Sequence, residues 1–107
     1  MKLLQFFGKL KKSKLFVIRR VAGDSMIPTL NQGDLVIGTR PFKRLSVGTV
    51  VIIRHNGLEK IKRIAKIDSD QLFVVGDNQT HSTDSRSFGW LPISTVVARI
   101  IWPRRLP

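Results

Sequence analysis

The sequence predicts a single, small, mainly β domain, built as a barrel or a sandwich, and three observations carry that expectation. From residue 15 onward, short apolar runs of strand length recur, separated by Gly, Asp, Asn and Pro. Two of these runs, Val50-Val51-Ile52-Ile53 and Leu72-Phe73-Val74-Val75, are continuous rather than alternating, as befits strands covered on both faces. At 107 residues the chain has room for one core and no second catalytic domain.

Taken in order, a first strand is expected over Leu15 to Val21. A second follows over Leu35 to Gly38, after the turn signal Asn31-Gln32-Gly33-Asp34. Ser46-Val47-Gly48 turns the chain into a third strand, Thr49 to Arg54. Asn56-Gly57 then supplies the residue pair that a two-residue hairpin favours. Residues 58–67 are ambiguous: Leu58, Ile61 and Ala65 fit a helix, whereas the β-branched Ile61, Ile64 and Ile67 favour a strand, which is the reading adopted. Further strands are expected over Leu72 to Val75 and Thr95 to Trp102. Between them, Gly76 to Pro92 is the longest irregular stretch, polar and too long for an idle connection in so small a domain.

Nineteen Lys and Arg against seven Asp and Glu give a net charge of +12, which draws the protein toward anionic surfaces or acidic chains. Seven of the basic residues lie in the first 20 positions with no acid among them. In this region Leu3, Phe6, Phe7 and Leu10 match one face of a helix. Residues 1–14 thus read as a basic segment, either a short amphipathic helix at a membrane surface or a basic tail, ahead of a folded domain over residues 15–107. The apolar patch is too short to span a bilayer, and no secretory cleavage site follows it. The absence of cysteine removes disulfides, thiolate metal sites and thiol catalysis together.

The residue with the most chemical meaning is Ser25, set in Gly23-Asp24-Ser25-Met26-Ile27-Pro28-Thr29-Leu30. A serine between a permissive glycine and a rigid proline can be held out for attack, but its hydroxyl needs a neighbouring base. His55 and His81, the only histidines, sit in no triad motif. Lys62, in Glu59-Lys60-Ile61-Lys62-Arg63-Ile64, has the richer context. A solvated lysine is protonated at neutral pH and becomes a base only where apolar burial disfavours its charge; Ile61 and Ile64 offer such surroundings. Asp24, Asp34 and Asp77 each follow a glycine and Asp84 precedes a serine, a placement that suggests specific tasks.

Gly23 to Leu30, Gly33-Asp34-Leu35-Val36, Ile61-Lys62-Arg63-Ile64 and Gly76-Asp77-Asn78-Gln79-Thr80-His81-Ser82-Thr83-Asp84-Ser85-Arg86-Ser87-Phe88-Gly89 resemble, in order and spacing, the signature boxes of the signal peptidase I family (peptidase family S26) of Ser/Lys peptidases. The resemblance covers roughly residues 20 to 89 and implies a signal-peptidase-like β domain over residues 15–107 that is a serine endopeptidase. It makes Ser25 the nucleophile, Lys62 the general base and Ser82 the hydroxyl that orients the lysine. Asp84 and Arg86 become a structural pair, and their two-residue spacing suits one side of an extended segment. Asp77 joins the residues that shape the site, while the role of Ser85 stays open. Met26 and Pro28 are expected to fix the nucleophile turn and to line the cleft. At Gly23 some members carry a serine that completes the oxyanion hole; here the oxyanion would lean on the backbone N–H of Ser25.

The short chain, its basic N-terminus and the stretch Val97-Ala98-Arg99-Ile100-Ile101-Trp102-Pro103-Arg104-Arg105 look most like the bacterial nickel-type superoxide dismutase maturation proteases, which remove an N-terminal extension. The resemblance implies no metal and no cofactor for the chemistry, and a protein substrate carrying an N-terminal leader. The expected location is cytoplasmic, peripheral at an anionic membrane if residues 1–14 bind one, with no transmembrane span. General signal peptide removal at the membrane surface is the alternative. A basic nucleic-acid-binding module is weaker, because aromatic and basic residues are not interleaved and Tyr is absent, so no nucleic-acid partner is expected.

Overall fold

A computed structural model describes residues 15–40 and 44–104. The runs read from the sequence become strands: β1 (Leu15–Arg20), β2 (Leu35–Arg40), β3 (Val50–His55), β4 (Leu58–Asp68), β5 (Gln71–Val75), β6 (Leu91–Pro92) and β7 (Val96–Trp102). They form one antiparallel sheet in the order β1-β2-β7-β3-β4-β5-β6. Residues 58–67 are therefore strand and not helix: their β-branched residues pair with β3 on one side and β5 on the other. At the hairpin, Asn56 and Gly57 both take the left-handed conformation, with φ of 52° and 76°, as a two-residue turn between twisted strands requires.

The continuous run in β3 is explained by two core clusters, one on each side of the strand. Val50 and Ile52 face Val21, Met26, Leu30, Val36, Ala98 and Ile100. Val51 and Ile53 face Ile64, Leu72, Val74, Leu91 and Val96. The run in β5 is covered less evenly, with Leu72 and Val74 buried and Phe73 and Val75 half-buried.

Gly76 to Pro92 is more ordered than an irregular loop. It holds a 3-10 turn (Gln79–His81), a four-residue helix α1 (Ser85–Phe88) and the short strand β6, which pairs with Gln71 and Leu72. A second 3-10 turn over Ile93–Thr95 delays the start of β7 to Val96.

Two features of this sheet position the site. β4 is eleven residues long and changes partner: Leu58 to Arg63 pair with β3, while β5 pairs only from Arg63 onward. A bulge between Ile64 and Lys66 bends the strand there. Among the described residues, the first half of β4 thus keeps one unpaired edge, as does β1 at the end of the sheet, and Arg19 of β1 reaches Glu59 of β4 at 2.7 Å. The seam between these strands is a cleft, not a ladder.

Close packing elsewhere holds the frame. A Cβ built on Gly38 of β2 would lie 2.8 Å from the Cβ of fully buried Ala98 on β7. Gly38→Ala should therefore lower stability by about 1 to 3 kcal/mol, read as a lower midpoint in thermal unfolding.

Candidate active site

The Ser25 turn is pinned at both ends. The Val21 N–H donates to the Asp34 carbonyl and the Gly33 N–H to the Val21 carbonyl, both at 2.8 Å, while Asp34 caps its own turn through the Asn31 N–H. Inside it, Ile27 and Leu30 donate back to the carbonyls of Asp24 and Met26. Met26 and Leu30, each 1% exposed, sink into the first core cluster, and Gly23 takes a left-handed φ of 76°. These anchors leave Ser25 half-buried at the rim of a cleft of about 150 Å³. Met26 lines that cleft as expected. Pro28 does not: it is exposed and lies outside the lining, so its part is confined to the turn, where its bond to Ile27 is cis.

Lys62 lines the same cleft from β4. It is only 3% exposed, opposite Val51 in register, with Ile64 on its own side of the strand; Ile61 faces the other core cluster. Burial is the main cause that pushes the Lys62 amine below its ordinary pKa. The negative charge of Asp84 opposes that shift, and the positive charges of Lys60 and Arg86 reinforce it.

The amine donates to Ser82 Oγ at 3.1 Å, and Ser82 in turn donates to Asp84 Oδ2 at 2.6 Å. A hydroxyl has one proton, so Ser82, having given it to Asp84, can only accept from the lysine. When neutral, Lys62 therefore spends an N–H on Ser82 and keeps its lone pair for another proton. Among the described residues its hydrogen bond is to Ser82 and not to Ser25, with which it shares the cleft.

Asp84 is fully buried, and burial alone would raise its pKa. Hydrogen bonds from the Arg86 side chain, Ser82 and the N–H groups of Gly76 and Arg86 outweigh that effect and hold the carboxyl far below the usual carboxylate range. The Asp84–Arg86 pair exists, but not on an extended segment. Asp84 is the N-cap of α1, and Arg86, in the first helical turn, folds back to donate from Nε at 2.9 Å. Ser85 is structural: buried, its Oγ accepts from the Val74 N–H at 2.8 Å and ties α1 to β5.

Four residues that the sequence reading did not single out hold the two halves of the site together. Gly76 approaches so closely that a Cβ there would lie 2.2 Å from Ser82 Oγ and 2.6 Å from the Ser25 carbonyl oxygen. The Asn78 backbone N–H donates to that same Ser25 carbonyl at 2.8 Å, and its side-chain amide to the Asp24 carbonyl at 3.0 Å. Arg63, next to Lys62, makes a two-pronged ion pair with Asp77 at 2.9 and 2.8 Å, and Thr29 of the serine turn donates to the same carboxylate. The Arg63 bonds are the largest cause of the lowered Asp77 pKa. The Lys62-Arg63 and Gly76-Asp77-Asn78 runs contained the signal, but nothing in them says which carboxylate meets which guanidinium.

The profile of the Peptidase S24-like family matches residues 4–91. This chain belongs to that family. The peptidase is also similar to mitochondrial inner membrane protease subunit 1 of Schizosaccharomyces pombe, 32% identical over an alignment covering 83% of this chain and 75% of that protein. The ATP-independent inner membrane protease subunit 1b of Arabidopsis thaliana is 30% identical over 75% of this chain and 64% of its own length. The human mitochondrial inner membrane protease subunit 1 is 28% identical over 77% of this chain and 67% of its own length.

In this peptidase neither histidine lines the cleft, and His55 stacks on Phe88 with ring centroids 4.2 Å apart. Among the described residues no group of three or more His, Asp or Glu is placed to hold a metal ion, and no helix is long and apolar enough to cross a membrane. Residues 1–14, read above as an amphipathic or disordered basic segment, lie outside the described residues.

Two outcomes follow for the peptidase. Asp84→Asn removes the charge that five donors converge on and should cost about 2 to 4 kcal/mol at neutral pH. In the wild type, this stabilisation is present above the ordinary carboxylate pKa and is lost as pH falls through the depressed native value, so the difference between the two proteins in thermal unfolding should shrink in acid. Gly76→Ala should push the Ser25 turn away from Ser82 and reduce kcat/KM on a cleaved substrate by about a hundredfold or more, the scale expected for a misplacement near 1 Å.

Proposed function

We propose that this chain is a serine endopeptidase of the Ser/Lys type that removes an N-terminal leader from a protein substrate. The observation that carries this reading is the burial of the Lys62 amine, lowered in pKa, in the cleft that Ser25 also lines. Ser25 Oγ attacks the carbonyl carbon of the scissile bond while its proton passes to the Lys62 lone pair. The oxyanion is met by the Ser25 backbone N–H, which has no hydrogen-bond partner among the described residues. Protonated Lys62 then gives its proton to the departing amine, leaving an acyl-enzyme. Water, deprotonated by the same amine, releases the acyl group and restores Ser25. Ser82 orients Lys62 throughout; Asp84 and Arg86 hold Ser82, and Asp77 with Gly23 and Met26 shapes the turn.

The open edges of β1 and of the first half of β4 suit an extended substrate, which would add to them by main-chain hydrogen bonds. The partner in this reading is a leader-bearing protein and not a nucleic acid. For the substrate itself we propose the nickel superoxide dismutase precursor, a proposal that rests on the sequence resemblance. General leader removal at a membrane surface is the second reading, favoured by relatives named as inner membrane proteases. A cytoplasmic protein with peripheral membrane contact through residues 1–14 fits either substrate. Incubation with each purified precursor, with and without liposomes, tells the two apart by which one is shortened.

Ser25→Ala and Lys62→Met should each abolish cleavage while the circular dichroism stays native; full activity in either variant rejects the dyad. In the wild type, kcat/KM should rise with pH as a single proton leaves a group whose pKa lies below the 10.5 of free lysine, then level off. The native state releases this proton more readily than the unfolded chain, so Lys62 costs stability at neutral pH and the cost fades as pH rises toward the unfolded value. Lys62→Met should therefore gain about 1 kcal/mol in thermal unfolding at neutral pH while losing all activity.

A further inference from the structure

We infer that the cleft selects substrates with an acidic side chain two or three residues from the scissile bond and disfavours lysine or arginine there. This rests on the peptidase reading above and names its substrate class.

Besides the buried Lys62 amine, the walls of the cleft carry three cations, Arg19, Arg20 and Lys60, against the single acid Glu59. Glu59 is already spoken for. It accepts from Arg19 Nε and Nη2 at 2.7 and 3.1 Å and from Arg54 Nη2 at 3.1 Å. Arg20 donates to the neutral Gly33 carbonyl, and Lys60 lies 5.1 Å over the ring of Phe88. Among the described residues neither has a carboxylate partner. The cleft is thus lined by positive charge that its own acid does not neutralise.

Position follows from the strand. Lys60 and Glu59 stand two and three residues along β4 from Lys62, or about 7 and 10 Å at the usual rise. A peptide added along the open edge of β4 would carry a side chain past them at the same spacing from its scissile bond. A nucleic acid would also answer the charge, but its sugar-phosphate backbone has no alternating N–H and C=O groups to pair with a strand edge; the edge and the charge together fit an acidic peptide.

The test uses a neutral twelve-residue parent peptide cut by the wild type, with single Glu or Lys substitutions scanned through four positions on each side of the bond and one control at the far end. Binding is read by fluorescence anisotropy on the Ser25→Ala protein, so it does not require turnover. Glu at two or three residues from the bond should tighten binding by about three- to tenfold over the parent and Lys should weaken it similarly, with both effects shrinking at high salt. In the Arg20→Glu/Lys60→Glu variant the ratio of Glu-peptide to Lys-peptide affinity should invert, a ratio that does not depend on the folded fraction. Equal affinities, or a Glu effect as large at the far end as near the bond, would overturn the inference, since the latter needs only the overall charge of +12. If the wild type cuts no peptide while one fixed position of the scan still prefers Glu over Lys in binding, hydrolysis is rejected and the acidic-peptide cleft stands.

Discussion

The structure is organised around keeping one amine out of water. Lys62 sits within a sheet strand where its charge is disfavoured, and a nearby carboxylate alone would simply turn it into half of a buried ion pair. Asp84 is that carboxylate, and the protein needs it to hold Ser82. Arg86 resolves the conflict. By pairing with Asp84 it answers the negative charge that would keep the lysine protonated, and its own positive field presses the same way. Ser82 stands between them as a one-way contact, accepting from the amine because it has already donated to the acid. The lysine is oriented without being neutralised by a counter-ion.

Orientation of the amine would be wasted if the serine could drift, and here the backbone does what side chains cannot. The loop that supplies Ser82 and Asp84 also grips the serine turn through the Asn78 N–H on the Ser25 carbonyl, with Gly76 close enough beneath that no side chain fits. Asp77, between these two residues, binds Thr29 on the serine turn and Arg63 on β4. Because Arg63 is the neighbour of Lys62, three segments far apart in sequence are registered against one another within a few residues. Double-ended contacts of this kind suit a site in which small errors in position cost large factors in rate.

How much of this was legible in the sequence depended on whether the information was local. β-branched runs and Asn56-Gly57 encode strands and a hairpin directly, and they appear with boundaries shifted by only a residue or two. The ambiguity over residues 58–67 was a matter of partners: the same isoleucines satisfy either period until β3 and β5 are known to flank them. Within Gly76 to Pro92 the polar residues that cap a four-residue helix are those that also make turns, so α1 was not visible, and Asp84 and Arg86 were placed on an extended segment when one caps the helix and the other folds back to it. Ser25, Lys62 and Ser82 were singled out because motif and chemistry agree on them, and the structure puts Ser25 and Lys62 on one cleft with Ser82 against the amine. Arg63, Thr29 and Asn78 were not, because their roles exist only in the contacts between segments.

The partner change along β4 links fold and chemistry most directly. An eleven-residue strand could pair along its whole length on both sides, which would satisfy its backbone and close the sheet. Instead β5 joins only at Arg63, and a bulge follows between Ile64 and Lys66. The unpaired edge therefore ends at Lys62, one residue before the ladder with β5 begins. An extended chain lying along that edge must leave it at this point, so its backbone passes the buried amine where the sheet itself blocks further pairing. The boundary between the part of the strand that belongs to the fold and the part left open is thus also the place where the buried Lys62 amine sits.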